Sequence, residues 1–166
     1  ILGTVLEPLI GHRNFLLVYF FSALGGSIAI ALFGEVLVPT VGASGAIYGL
    51  MGALIGYFYA RFGNLRTMWS VPFARMLIIL LGINVAFSVW SPGISLLGHL
   101  GGLIVGMLSG YALARMLSGT MTTMERVTFL LLQAAVLAGA VYSVIPFNRG
   151  GYWELCNHSS FLSIEH

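Results

Sequence analysis

The sequence predicts an all-α fold, a polytopic bundle of membrane-crossing helices, on three observations. The chain of 166 residues is 58% hydrophobic and only 7% charged, whereas a soluble domain carries about 25% charge. Its apolar residues fall in long continuous runs, and a helix needs about 20 such residues to cross a bilayer. The runs do not alternate as barrel strands do, and only helices or closed barrels satisfy their backbone in lipid.

Taken in order, the opening residues 1–10 read as the end of an earlier helix, closed by Glu7-Pro8 and Gly11. The first span is expected at about 14–33, the second at 44–60 and the third at 72–90. The fourth is expected at 95–115 and the fifth at 127–145. Ile1 begins in apolar sequence with no signal-peptide n-region or cleavage site before it, which reads as a chain starting partway through a helix. Arginine sets the orientation. Arg13, Arg61, Arg66, Arg75, Arg115 and Arg126 all fall in connections on one side of these spans, and Arg149 alone lies in the tail beyond the last. The connections 34–43 and 91–94 carry no Arg. By the positive-inside rule the Arg-bearing side is cytoplasmic.

All cations are Arg and all anions are Glu. Without Lys or Asp there is no Ser-Lys pair, Schiff base, aspartyl dyad or Ser-His-Asp triad. The net charge of +2 contains no basic run, so nothing points to nucleic acid. The single cysteine, Cys156, supports neither an internal disulfide framework nor a multi-cysteine metal site, and no HExxH occurs. No metal or organic cofactor is expected.

Of the four histidines, His12 adjoins Arg13, His158 and His166 lie in the tail, and His99 alone sits within a span, in GHLGG. An ionisable group there is a functional candidate, although a neutral histidine bonding between helices fits as well. Ser44, in VGASGAIYG, opens the second span. A lone serine in a membrane helix is usually a packing residue, but a helix start offers free N–H groups to a developing negative charge. The Ser44 amide is placed to hold such an oxyanion, with Gly42 letting the backbone come close. The second and fourth spans both start at the outer face. His99 lies roughly 6 Å into the fourth at 1.5 Å per residue, so it shares the depth of Ser44. Gly45, Gly49, Gly52 and Gly56 line one face of the second span, and Gly98, Gly102, Gly106 and Gly110 repeat along the fourth. Such small-residue ridges let helix axes approach in lipid. Packing of Gly45 and Gly49 on Gly102 and Gly106 would turn Ser44 and His99 into one outer crevice. Tyr48, one turn below Ser44, is placed to stack on His99 or simply to fill the interface. A Ser-His dyad is the one nucleophile-base pair this inventory permits.

GASGAIYG followed by GHLGGLIVG, with membrane spans between, resembles the rhomboid protease family over about residues 1–116. The resemblance implies an intramembrane serine endopeptidase with Ser44 as nucleophile, His99 as general base and Tyr48 as the family tyrosine. It implies transmembrane protein substrates, cut in or near their membrane segments on the outer side. The expected location is the bacterial inner membrane, with the site near the outer face of the lipid bilayer. By this alignment the core runs over 1–116, a loop and an additional transmembrane helix over 117–147, and a polar tail over 148–166. The family's first helix and the His-xxx-Asn motif of its second would lie upstream of Ile1.

Asn84 is expected to bond across to a neighbouring helix, and Glu7, Glu35 and Glu125 to be solvated interfacial charges. The resemblance implies that the segment 91–94, after Trp90, is a lid over substrate entry, flexible through Gly93; read from its residues alone it is a short turn with an interfacial Trp. Two other functions remain open: a non-catalytic rhomboid-like protein that binds membrane clients, and a small transporter fragment. The latter would need polar residues lining a path, and below the crevice there is little beyond Asn84 and Gln133.

Overall fold

A computed structural model of the protein describes residues 1–34, 43–90 and 95–148, the side chains of 143–148 excepted. Gly42, Glu35, the 91–94 segment, Arg149, Cys156, His158 and His166 lie outside the described residues. Among those described there are seven helices and no strand. They are α1 (Leu2–Ile10), α2 (His12–Phe33), α3 (Ser44–Phe62), α4 (Leu65–Ser70), α5 (Pro72–Trp90), α6 (Leu96–Leu117) and α7 (Thr123–Asn148).

Four helices are long and apolar enough to cross a membrane: α2, α5, α6 and α7 from Thr123 to Tyr142. The sequence reading expected five spans, and α3 is the one that falls short. The reason is its composition. Gly45, Gly49, Gly52 and Gly56, with Tyr48, Tyr57 and Tyr59, dilute its apolar character. Its buried residues, from Ala46 to Gly56, are covered by neighbouring helices rather than by lipid, so it needs no continuous apolar coat.

The packing of α3 on α6 is built on backbone. A Cβ added at Gly45 would lie 3.1 Å from the Gly98 carbonyl oxygen, and one at Gly49 would lie 3.0 Å from that of Gly102. In the other direction, a Cβ at Gly102, Gly106 or Gly110 would collide with the carbonyl oxygen of Gly45, Gly49 or Ala53 respectively. The pairing advances along both helices together, so α3 and α6 run parallel. A third ridge joins them. Gly26 of α2 lies against Gly98, and Gly25 against Gly101 and Val105, in antiparallel sense. Lipid offers no hydrophobic drive between apolar helices, so this close fit is where the bundle gains its van der Waals energy.

Around the seam the ends are tied locally. The first helix continues through Pro8 to Ile10, and it is Gly11, at φ 83°, that breaks the chain before α2. Leu6 and Ile10 of α1 pack into the same apolar cluster as Leu50, Leu54 and Leu77. Glu7 pairs with His12 across the Gly11 turn. Gly63 ends α3 in the left-handed region, φ 76°, as helix C-termini favour. Short α4 is started by Asn64, whose side chain accepts from the Thr67 amide at 2.7 Å, and is anchored by buried Met68. At the start of α7, the Thr122 amide donates to Glu125 at 2.7 Å and the Glu125 amide to the Thr122 hydroxyl at 3.2 Å, a reciprocal capping box. Arg115 stands 3.2 Å from the same carboxylate. Glu7 and Glu125 are therefore partnered rather than merely solvated.

A side chain in the seam should be costly and one outside it cheap. Gly106→Val should destabilise the bundle by about 2 kcal/mol or more, because overpacking against rigid backbone costs 1–3 kcal/mol or above. Gly82→Ala, with open space around it on α5, should leave stability unchanged or raise it by up to about 1 kcal/mol. Equilibrium unfolding in mixed micelles reads both.

Candidate active site

Ser44 opens α3 and His99 stands in the first turns of α6. The glycine register settles their relation. Gly45 lies against Gly98, and Gly102 against Gly45, so the first turn of α3 is level with the turn of α6 that carries His99. The start of α6 is fixed by Ser95, whose hydroxyl accepts from the Gly98 amide at 3.1 Å and whose carbonyl accepts from the His99 amide at 3.2 Å.

His99 is only 6% exposed, and each fixed contact of its imidazole comes from another helix. Tyr48 of α3 stacks on it, with ring centroids 4.0 Å apart and planes within 10° of parallel. The Ser88 hydroxyl of α5 lies 2.9 Å from Nδ1. The same hydroxyl lies 3.0 Å from the Tyr48 hydroxyl and donates to the Asn84 carbonyl, one turn back, at 2.9 Å. Both faces of the arrangement are thus pinned: the ring plane by Tyr48, and one ring nitrogen by Ser88.

Ser44 is exposed, at the open end of its helix. Among the described residues no hydrogen bond joins it to His99. What the structure gives is adjacency of the two turns, without a direct bond between the side chains. Catalytic hydrogen bonds in unliganded sites are commonly long and tighten when substrate binds. Nδ1 is engaged by Ser88, which leaves Nε2 as the nitrogen available to a nucleophile.

Ser88 was not singled out from the sequence. A serine four residues after Asn84 reads as an ordinary hydroxyl bonded to its own helix, and that is half of what it does. It is 5% exposed and the one buried residue in the C-terminal half of α5, whose other buried residues are Ala74 and Leu77. Asn84 differs from expectation in the opposite way. Its side chain donates to Leu80 of its own helix at 2.8 Å rather than across to a neighbour. Gln133 of α7 does reach across, donating to the Ser109 hydroxyl of α6 at 3.0 Å. Ser22 of α2 is fully buried against Gly49, with its hydroxyl unpaired. No group of three or more His, Cys, Asp or Glu that could hold a metal occurs among the described residues.

The fold and the site define a multi-pass membrane protein with a histidine held at one end of a three-helix glycine seam, beside a serine at a helix start. Residues 1–116 match the model of the Rhomboid domain, and the chain belongs to the rhomboid family. It is 34% identical over 140 residues to Rhomboid protease GluP of Bacillus subtilis (strain 168), covering 84% of this chain and 26% of that protein. It is 35% identical over 106 residues to the Putative rhomboid protease YdcA of the same organism, covering 64% of this chain and 51% of that one. It is also 35% identical over 118 residues to RHOMBOID-like protein 6, mitochondrial, of Arabidopsis thaliana, covering 68% and 36%. The chain therefore spans about a quarter to a half of the length of these relatives. No solved structure matches it.

The two contacts of Tyr48 are separable. Tyr48→Phe keeps the ring on His99 and loses the bond to Ser88, and should cost about 1 kcal/mol, the net worth of one neutral hydrogen bond. Tyr48→Ala also empties the aromatic's place and should cost about 3 kcal/mol or more. Unfolding of the two variants in micelles, compared side by side, separates the terms.

Proposed function

We propose that this chain carries the catalytic dyad of an intramembrane serine endopeptidase, with Ser44 as nucleophile and His99 as general base. The observation that supports this reading most is the constraint on His99. A buried imidazole, clamped on its face by Tyr48 and at Nδ1 by Ser88, presents one free nitrogen at the level of an exposed serine that opens a helix. Ordinary helix packing does not require that a histidine be oriented so fully. Membership in the rhomboid family, and relatives named as rhomboid proteases, support the same chemistry.

The steps follow from the groups present. His99 Nε2 takes the Ser44 proton as Oγ attacks a peptide carbonyl. The oxyanion forms beside the start of α3, where the Ser44 amide is unpaired by the helix and the dipole favours negative charge. Gly42 is proposed to let the backbone approach there. The imidazolium then returns its proton to the leaving amine, and an acyl-enzyme remains on Ser44 until water, entering from the outer side, releases it. The substrates are transmembrane proteins. Their membrane segment must unwind locally, because a helix occupies its carbonyls in hydrogen bonds and shields them from attack. The gathering of Arg in connections on one side supports a site at the opposite, outer face, and the named Bacillus relatives support a bacterial inner membrane as its location.

An activity-based fluorophosphonate probe tests the reading. The folded chain should be labelled at Ser44, with labelling abolished in Ser44→Ala and lowered by at least about 100-fold in His99→Gln, the scale of general-base assistance. If the folded protein resists labelling, a membrane-client binding role is the reading that remains.

A further inference from the structure

Ser88 does more than fill a gap between α5 and α6. Its Oγ has three partners at hydrogen-bond distance: the Asn84 carbonyl oxygen at 2.9 Å, the Tyr48 hydroxyl at 3.0 Å and His99 Nδ1 at 2.9 Å. A hydroxyl has one proton to give and two lone pairs to offer. The Asn84 carbonyl can only accept, so the single proton of Ser88 is spent there. The other two contacts are then hydrogen bonds only if Tyr48 and Nδ1 both donate. Just one assignment of protons satisfies all three bonds, and it puts a proton on Nδ1. In a neutral imidazole the lone pair is then on Nε2.

We infer that Ser88 is a positioning residue which fixes the tautomer of His99, holding the proton on Nδ1 so that Nε2 is free to act as base toward Ser44. The proposal rests on the dyad reading above. In serine proteases with a triad, a carboxylate fulfils this task, and a wrong tautomer there costs about 10⁴-fold in kcat. This chain has no Asp, and its Glu residues within the described part, Glu7 and Glu125, are engaged elsewhere. A backbone-anchored hydroxyl supplies the acceptor instead. Being neutral, it orients the ring with little stabilisation of the imidazolium. Its loss should cost about tenfold, the worth of one neutral hydrogen bond. When His99 takes the Ser44 proton, the Nδ1–H bond to Ser88 stays in place, and only Nε2 changes protonation.

The test reads the tautomer directly and separately from activity. The full chain is labelled with ¹⁵N-histidine in micelles at a pH where His99 is neutral. The His99 signals are identified as those lost in His99→Gln. In the unsubstituted chain Nε2 should give the shift of an unprotonated ring nitrogen and Nδ1 that of a protonated one. Ser88→Ala should mix or invert the two and lower the labelling rate of Ser44 about tenfold. Ser88→Thr, whose hydroxyl can still back-bond to the carbonyl four residues earlier, should restore both. The inference is overturned if the unsubstituted chain carries its proton on Nε2, or if Ser88→Ala leaves both nitrogen signals unchanged. Should the chain resist the fluorophosphonate while its nitrogen shifts follow Ser88 as described, the protease reading falls and the tautomer assignment stands.

Discussion

Everything in this bundle depends on the contact of bare backbone between α3 and α6. Gly102, Gly106 and Gly110 each face a carbonyl oxygen of α3 so closely that no side chain would fit. Two helices that touch along their peptide groups are locked in register as well as in distance, because each bare position must stay opposite the backbone it faces. That register is what sets the start of α3 level with His99. The site does not position itself. It inherits its geometry from glycines that continue down to Gly56 on α3 and Gly110 on α6.

A second consequence of the seam is that polar groups near the His99 end are cheaply held. Lipid provides no partner for an unpaired hydroxyl or imidazole. Tyr48, Ser88 and His99, one from each of three helices, answer one another, and the Ser88 hydroxyl donates a hydrogen bond to a carbonyl of its own helix. The triangle solves a solvation problem and an orientation problem together. It also explains how a histidine can be held without a carboxylate. An acid at position 88 would bring a charge into a setting where desolvation is expensive, and a serine bonded to its own helix brings none.

The helices around this centre are held unequally. The second helix enters the seam through Gly25 and Gly26, and α1 closes the opposite end through Leu6 and Ile10. By contrast α5 presents most of its surface outward, with Ala74 and Leu77 buried near one end and Ser88 near the other. The burial of α6 and the exposure of α5 and α7 within their apolar windows follow the same order, from centre to rim. Family membership fits this plan, with the matched domain ending at residue 116, near the end of α6.

Much of this was legible in the chain itself. Composition and run length dictate membrane helices, because 7% charge cannot solvate a surface. The spacing of four between glycines announces a close approach, since that spacing recurs on one helical face. GASGA and GHLGG name the two turns that meet. The Gly25-Gly26 pair and the Thr122-x-x-Glu125 box were equally readable signals that composition alone does not bring forward. Other features were not readable. Nothing local distinguishes Ser88 from any serine that bonds to its own helix, and nothing local shows that Asn84 turns back to Leu80 while Gln133 reaches across to Ser109. Helix periodicity records which residues share a face and is silent on which foreign side chain meets them. The sequence determined the membrane helices and the two turns that must approach. Only tertiary packing decided that α3 would be walled in rather than lipid-facing, and that a hydroxyl from a third helix would hold Nδ1, because hydrogen-bond partners distant in sequence are fixed by the rotation of each helix about its axis.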